Sequence, residues 1–191
     1  MNQLIRRLDL RRGRALLLQG ALLLIPPVTA CYFMQFILGA YPWQMSLGAA
    51  AANAICIGVL YYLLCALTGR WVISCVLVHI LSGIWGAANY FVSVYRGTPV
   101  LPWDLTALGT ASAVSGSYDF TPTWQMALAI AAGLLACVLL WWKAGSGRVA
   151  WKGRLACAAL GVLCLIPVVQ PARLDWFGVK TDVWDRTGAY R

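Results

Sequence analysis

SLGAAAANAICIGVLYYLLCAL (Ser46–Leu67), TGR (Thr68–Arg70) and WVISCVLVHILSGIWGAANYFVSVY (Trp71–Tyr95) are two apolar runs without an acid, lysine or arginine inside them, separated by three residues. About 20 helical residues cross a hydrocarbon core of ~30 Å, so each run is long enough to span a membrane. The connection is so short that the two helices must form a tight antiparallel hairpin. Working outward, Ala15–Leu38 and Trp124–Trp142 carry the same apolar, uncharged signature. A fifth run, Leu155–Val169, becomes long enough if its helix begins near Trp151, with Lys152 and Arg154 snorkelling to the interface. The expected fold is therefore all-α: a bundle of five transmembrane helices at about 15–38, 46–67, 71–95, 124–142 and 151–170.

Composition supports this reading. Hydrophobic residues make up 61% of the 191 positions and charged residues 11%, where a soluble domain carries roughly 45–50% and ~25%. A water-soluble enzyme and a disordered chain are both excluded. All six acids are Asp, and there is one His, so the residues that usually build acid–base pairs and metal cages are scarce. The seven cysteines all fall within spans and form no C-x-x-C pair; they read as small polarizable packing residues.

Lys and Arg set the orientation. Arg6, Arg7, Arg11, Arg12, Arg14, Arg70, Lys143, Arg148, Lys152 and Arg154 fall on one side with Asp9 alone, while five basic residues and the other five Asp fall on the opposite side. The whole net charge of +9 thus belongs to one face. That predicts a basic cytoplasmic N-terminus at 1–14 and an extracellular C-terminal linker at 170–191. The basic face implies contact with anionic membrane lipid, not nucleic acid. Trp43, Trp71, Trp124, Trp141, Trp142 and Trp151 lie at span ends, as an aromatic belt does.

The N-terminus also resembles a signal peptide, with the lipobox-like Val28-Thr29-Ala30-Cys31. The apolar run continues past Cys31 to Leu38, longer than the 7–15 residues of a signal core, so a retained helix is expected. Pro26 and Pro27 should kink it, with neighbouring groups satisfying the carbonyls they leave without a donor.

Two segments could carry function. In span three, Cys75, His79, Ser82, Gly86, Asn89, Ser93 and Arg96 recur at steps of four and three, which places them on one helix face. They read either as a polar track ending at Arg96 or as a close-packed interface in which His79 and Asn89 bond across helices. His79 has no second His or carboxylate near it in sequence, so no metal site is assigned. In the outer loop, 96–123, the prolines at 99 and 102 stiffen the chain ahead of Asp104. Asp104 suits the N-cap of a short interfacial helix to about Ser115. The loop reads either as a rigid connector or as a lipid-headgroup site with Arg96 on the phosphate and Asp104, Trp103 and Asn89 around it.

The run Tyr95-Arg96-Gly97-Thr98-Pro99-Val100-Leu101-Pro102-Trp103-Asp104-Leu105, followed by Ala107-Leu108-Gly109-Thr110-Ala111, resembles the outer loop of lipoteichoic-acid-synthase-like proteins. These are membrane phosphoglycerol transferases of the alkaline-phosphatase/sulfatase superfamily. Asp182–Arg191 is similar to the start of that family's linker to its extracellular catalytic domain. The resemblance implies a five-span anchoring module in the cell membrane, with phosphatidylglycerol as the lipid and a divalent metal, commonly manganese, in the catalytic domain. No catalytic residue of that domain has a counterpart here. The expectation is an inactive fragment or split gene product, or a module acting through a separate catalytic partner. The alternative is a free-standing small membrane protein that binds anionic lipid or an envelope-assembly partner.

Overall fold

The computed structural model describes residues 2–100, 104, 116, 119–144 and 148–169. Among the described residues the structure is all-helical, with five long helices: α1 (Asn2–Ile37), α2 (Leu47–Thr68), α3 (Trp71–Arg96), α4 (Trp124–Ala144) and α5 (Trp151–Val169). Among the described residues, four segments are long and apolar enough to cross a membrane: Gly20–Ile37 within α1, all of α2, all of α3, and α5. Within α4 the apolar segment is shorter, Trp124–Leu139. The helix positions agree with the sequence reading except at the start. There α1 runs back through the basic region to Asn2, as a region with no proline or helix-ending glycine–proline signal allows. A single 3-10 turn at Pro42–Gln44 joins α1 to α2. It is closed by the Tyr41 backbone N–H donating to Gln44 Oε1 at 2.8 Å. The interfacial helix expected through Ser115 falls on residues outside those described, as does the linker from 170 onward.

The hairpin of α2 and α3 forms as the three-residue spacing requires. Ser46 caps α2 by accepting from the Ala49 N–H, and Gly69 ends it in the left-handed region at φ 62°. The positive φ is what calls for glycine here, since a Cβ would meet the Arg154 side chain only at ordinary contact distance, 3.4 Å. Thr68 Oγ1 and Ser74 Oγ lie 2.8 Å apart, and the Ser74 hydroxyl also reaches the Arg70 carbonyl at 2.9 Å. These bonds close the turn.

Helices α1, α2 and α3 pack on one another, α5 lies against α2, and α4 lies against α1 and α3. One buried cluster joins Ala30, Tyr61, Tyr62, Cys65, Val78 and Cys157 across four helices, and a second joins Ile37, Met126 and Ala129. Large apolar side chains also point outward: Leu134, Leu135 and Val138 on α4 are 64%, 62% and 64% exposed. A water-soluble monomer does not leave a face of that size bare; hydrocarbon is the solvent that suits it. Trp43, Trp124, Trp142 and Trp151 are likewise exposed at helix ends, the positions of an interfacial belt.

The Pro26–Pro27 step shows how backbone polarity is settled inside the bundle. In a regular helix these two residues would donate to the carbonyls of Leu22 and Leu23, and proline has no N–H to give. The Tyr61 hydroxyl donates to the Leu22 carbonyl at 2.6 Å, and the Tyr62 hydroxyl donates to the Leu23 carbonyl at 3.1 Å. Two consecutive prolines in α1 are thus matched by two consecutive tyrosines in α2. Tyr61 is wholly buried, so its hydroxyl is committed to this contact.

Candidate functional site

The polar stripe of α3 divides into two parts. Its first half is an interface with α1. His79 Nδ1 lies 2.8 Å from the Cys75 carbonyl, which can only accept, so Nδ1 carries a proton. Nε2 sits 3.1 Å from Thr29 Oγ1 on α1, and the ring packs edge-on to Phe33 at 5.8 Å. Farther along, Gly86 lets the two backbones close up: a Cβ there would stand 2.9 Å from the Met34 carbonyl oxygen. Ser82 and Asn89 are buried on the same face. Small residues permitting close approach, with polar side chains bonded across or within the contact, is how helices associate in lipid. Over Cys75–Gly86 the interface reading therefore holds.

The second half fastens the loop that follows α3. Gly97 terminates the helix in the left-handed region at φ 74°, and the chain turns back on itself. Arg96 then holds the returning chain at several points. Its Nη1 and Nη2 donate to the two carboxylate oxygens of Asp104, each at 2.7 Å. Nε donates to Thr98 Oγ1 at 2.7 Å, and Nη2 also donates to the Pro99 carbonyl at 2.8 Å. Two planar groups meeting through parallel bonds is the strongest geometry for an Arg–carboxylate pair. Two turns below, buried Asn89 accepts from the Val100 N–H at 2.9 Å through Oδ1 and donates to the Trp85 carbonyl at 3.1 Å. At the loop's far end, the Tyr95 hydroxyl donates to the Asp119 carbonyl. Phe120 meets the rings of Phe91 and Tyr95 edge-on at 5.2 and 6.0 Å.

Of the four residues singled out from sequence, the structure pairs Arg96 with Asp104, while Asn89 lies two turns lower on α3 and holds the same loop at Val100. Trp103 lies outside the described residues. Asp104 has a role that its cap-like position did not announce: its carboxylate occupies the Arg96 fork. The two residues are 44% and 23% exposed at the side chain, so the pair borders solvent. Sequence reasoning missed Val100, Asp119 and Phe120 as partners of α3, because spacing along a helix does not show where a following loop folds back on it.

Among the described residues, no three His, Cys or Asp side chains converge to hold a metal ion. The chain matches no family model, no curated protein and no solved structure.

Proposed function

We propose that the chain is the membrane-anchoring module of a phosphoglycerol transferase of the lipoteichoic-acid-synthase-like kind. In this reading all five helices cross the membrane, α4 included, with the N-terminus inside and the C-terminus outside. The module's task is to hold a shaped outer loop at the membrane surface beside an extracellular catalytic partner. The observation that carries the proposal is the fastening of the loop after α3. The segment bearing the family resemblance, Tyr95–Leu105, is held by Arg96 at Thr98, Pro99 and Asp104, and by Asn89 at Val100. A mere connector between spans has no use for so many bonds, whereas a surface presented to a partner or headgroup must keep its shape.

Topology tests it. A reporter fused after Arg191 is expected to be active only outside the membrane, and one fused near Gly145 only inside. A cytoplasmic C-terminus would place the catalytic partner on the wrong side and end the anchoring reading.

The proposed headgroup contact at this loop takes a specific form. Asp104 occupies the guanidinium fork that a lipid phosphate would use, so the two anions compete for Arg96. Asp104→Asn is expected to raise phosphatidylglycerol binding to the purified chain several-fold, and Arg96→Ala to lower it. A charge-assisted contact of this type is worth about 1.5–3 kcal/mol. Arg96→Lys should recover part of the loss, since an ammonium supplies charge without the fork. Unchanged lipid affinity in both Asp104→Asn and Arg96→Ala would make Arg96 a positioning residue for the loop alone.

A further inference from the structure

The opposite end of the bundle carries a second arrangement that the anchoring role does not use. Arg70, in the turn between α2 and α3, faces Arg148 as a partner in an isolated antiparallel bridge. The Val149 N–H donates to the Gly69 carbonyl at 2.8 Å and fixes that register. Like charges set directly opposite each other in an antiparallel pair repel. Arg148 is exposed and Arg70 partly so, so both side chains can be reached by an anion from outside the bundle. Lys152 and Arg154 follow within two turns. Among the described residues none of these four cations has a carboxylate partner; the ion pair described is the one at the far end of α3.

Arg154 is already committed. It donates through Nε to the Ala66 carbonyl at 2.8 Å and through Nη2 to the Leu67 carbonyl at 3.2 Å. In this way it caps the negative end of α2. Arg70, Arg148 and Lys152 are cations of a different sort, collected around a turn. Beside them, between α2 and α5, runs an open groove of about 300 Å³ lined by Ala66, Trp151, Arg154, Leu155 and Ala158. Apart from the pinned Arg154 that lining is apolar. Trp151 is 67% exposed at its rim, where an indole matches the headgroup depth of a bilayer.

We infer that this end of the bundle binds an anionic phospholipid, its phosphate lying across the Arg70–Arg148 pair and an acyl chain lying along the groove over Ala66, Leu155 and Ala158. Charge and shape together select that occupant. A soluble phosphate would answer the cations and leave the groove bare; a zwitterionic lipid would fill the groove and leave the arginine repulsion largely uncompensated. An anionic lipid does both. The basic residues at this end are also drawn toward a leaflet rich in anionic lipid, which sets them beside that lipid. This site is independent of the anchoring proposal and lies at the other end of α3 from the Arg96 loop.

Native mass spectrometry of the detergent-purified full chain tests it, with phosphatidylglycerol, chain-matched phosphatidylcholine and soluble glycerol phosphate as probes. The chain should prefer phosphatidylglycerol over phosphatidylcholine. Arg70→Gln and Arg148→Gln should each lower phosphatidylglycerol affinity on the order of tenfold, with phosphatidylcholine unaffected. Ala158→Phe, at an exposed position of the groove, should lower it without any change of charge. Lys180→Gln, which removes one charge elsewhere in the chain, should not. Repeating the set in an Arg96→Ala background keeps the outer loop's contact from being scored in its place. The proposal is overturned if Arg148→Gln and Ala158→Phe bind phosphatidylglycerol like the parent chain. It also fails if phosphatidylcholine binds equally well, or if glycerol phosphate displaces the lipid at equal concentration and so marks a soluble-phosphate site.

Discussion

Gly86→Ala is expected to loosen α1 from α3, and Gly86→Val to separate them outright. The added Cβ stands 2.9 Å from the Met34 carbonyl oxygen, 3.2 Å from Met34 Cγ and 3.3 Å from Ile37 Cγ2. The first of these contacts decides the outcome. A side chain can change rotamer, but a carbonyl within a helix can move only with its helix. Overpacking of this kind costs typically 1–3 kcal/mol, and the valine belongs at or above the top of that range. Two other glycines calibrate the effect. At Gly83 the nearest atom is the edge of the Phe33 ring at 3.0 Å, which can tilt aside, so Gly83→Ala should cost less. Gly20 has nothing within 4 Å, and Gly20→Ala should be neutral or slightly stabilising, since alanine favours a helix by up to ~1 kcal/mol. Denaturation of the three purified alanine variants in mixed micelles gives the order directly. If Gly86→Ala unfolds no more easily than Gly20→Ala, the close approach of α1 and α3 is wrong.

Gly86 also shows how far the sequence could be read. Its place on the stripe was visible, because steps of four and three put it in line with Ser82 and Asn89 on any helix. The length and apolarity of the runs likewise announced the helices, since a membrane imposes one dimension on every span. Which helix the stripe faces could not be read, because spacing within one helix carries no information about its neighbour. The double reading of the stripe therefore resolved by position. Toward Cys75 the neighbour is α1, and toward Arg96 it is the chain's own returning loop. At Asp104 the sequence suggested a cap, whose helix falls outside the described residues; the pairing with Arg96 eight residues away was not legible in the spacing. That pairing depends on reach, and reach is a property of the turn at Gly97. The basic end shows the same limit. The excess charge on one face was countable in the chain, but the bridge that sets Arg70 against Arg148 is a tertiary contact.

Replacing both Tyr61 and Tyr62 by Phe is expected to destabilise the bundle more than either change alone, and the expected dependence on Pro26 and Pro27 makes the test specific. Phenylalanine keeps the ring and its packing, so the loss is confined to the hydroxyls. Without them the carbonyls of Leu22 and Leu23 lose the donors at 2.6 and 3.1 Å. No backbone N–H can take their place, because residues 26 and 27 are both proline. Leaving a buried acceptor unsatisfied costs about 1–3 kcal/mol. Interhelical hydrogen bonds in membrane proteins average nearer ~0.6 kcal/mol, because an unfolded helix in lipid finds other partners. A carbonyl orphaned by proline finds no such partner within its own helix, so each tyrosine should stand above that average, with Tyr61 the larger because it is fully buried. The decisive measurement is a double-mutant cycle. In a Pro26→Ala background the alanine N–H can bond Leu22 again, and Tyr61→Phe should then cost little; Pro27→Ala should do the same for Tyr62→Phe. Crossing the pairs should restore nothing, since each proline orphans one particular carbonyl. Equal costs for Tyr61→Phe with and without Pro26 would show that the hydroxyl stabilises the bundle by some route other than the proline-freed carbonyl.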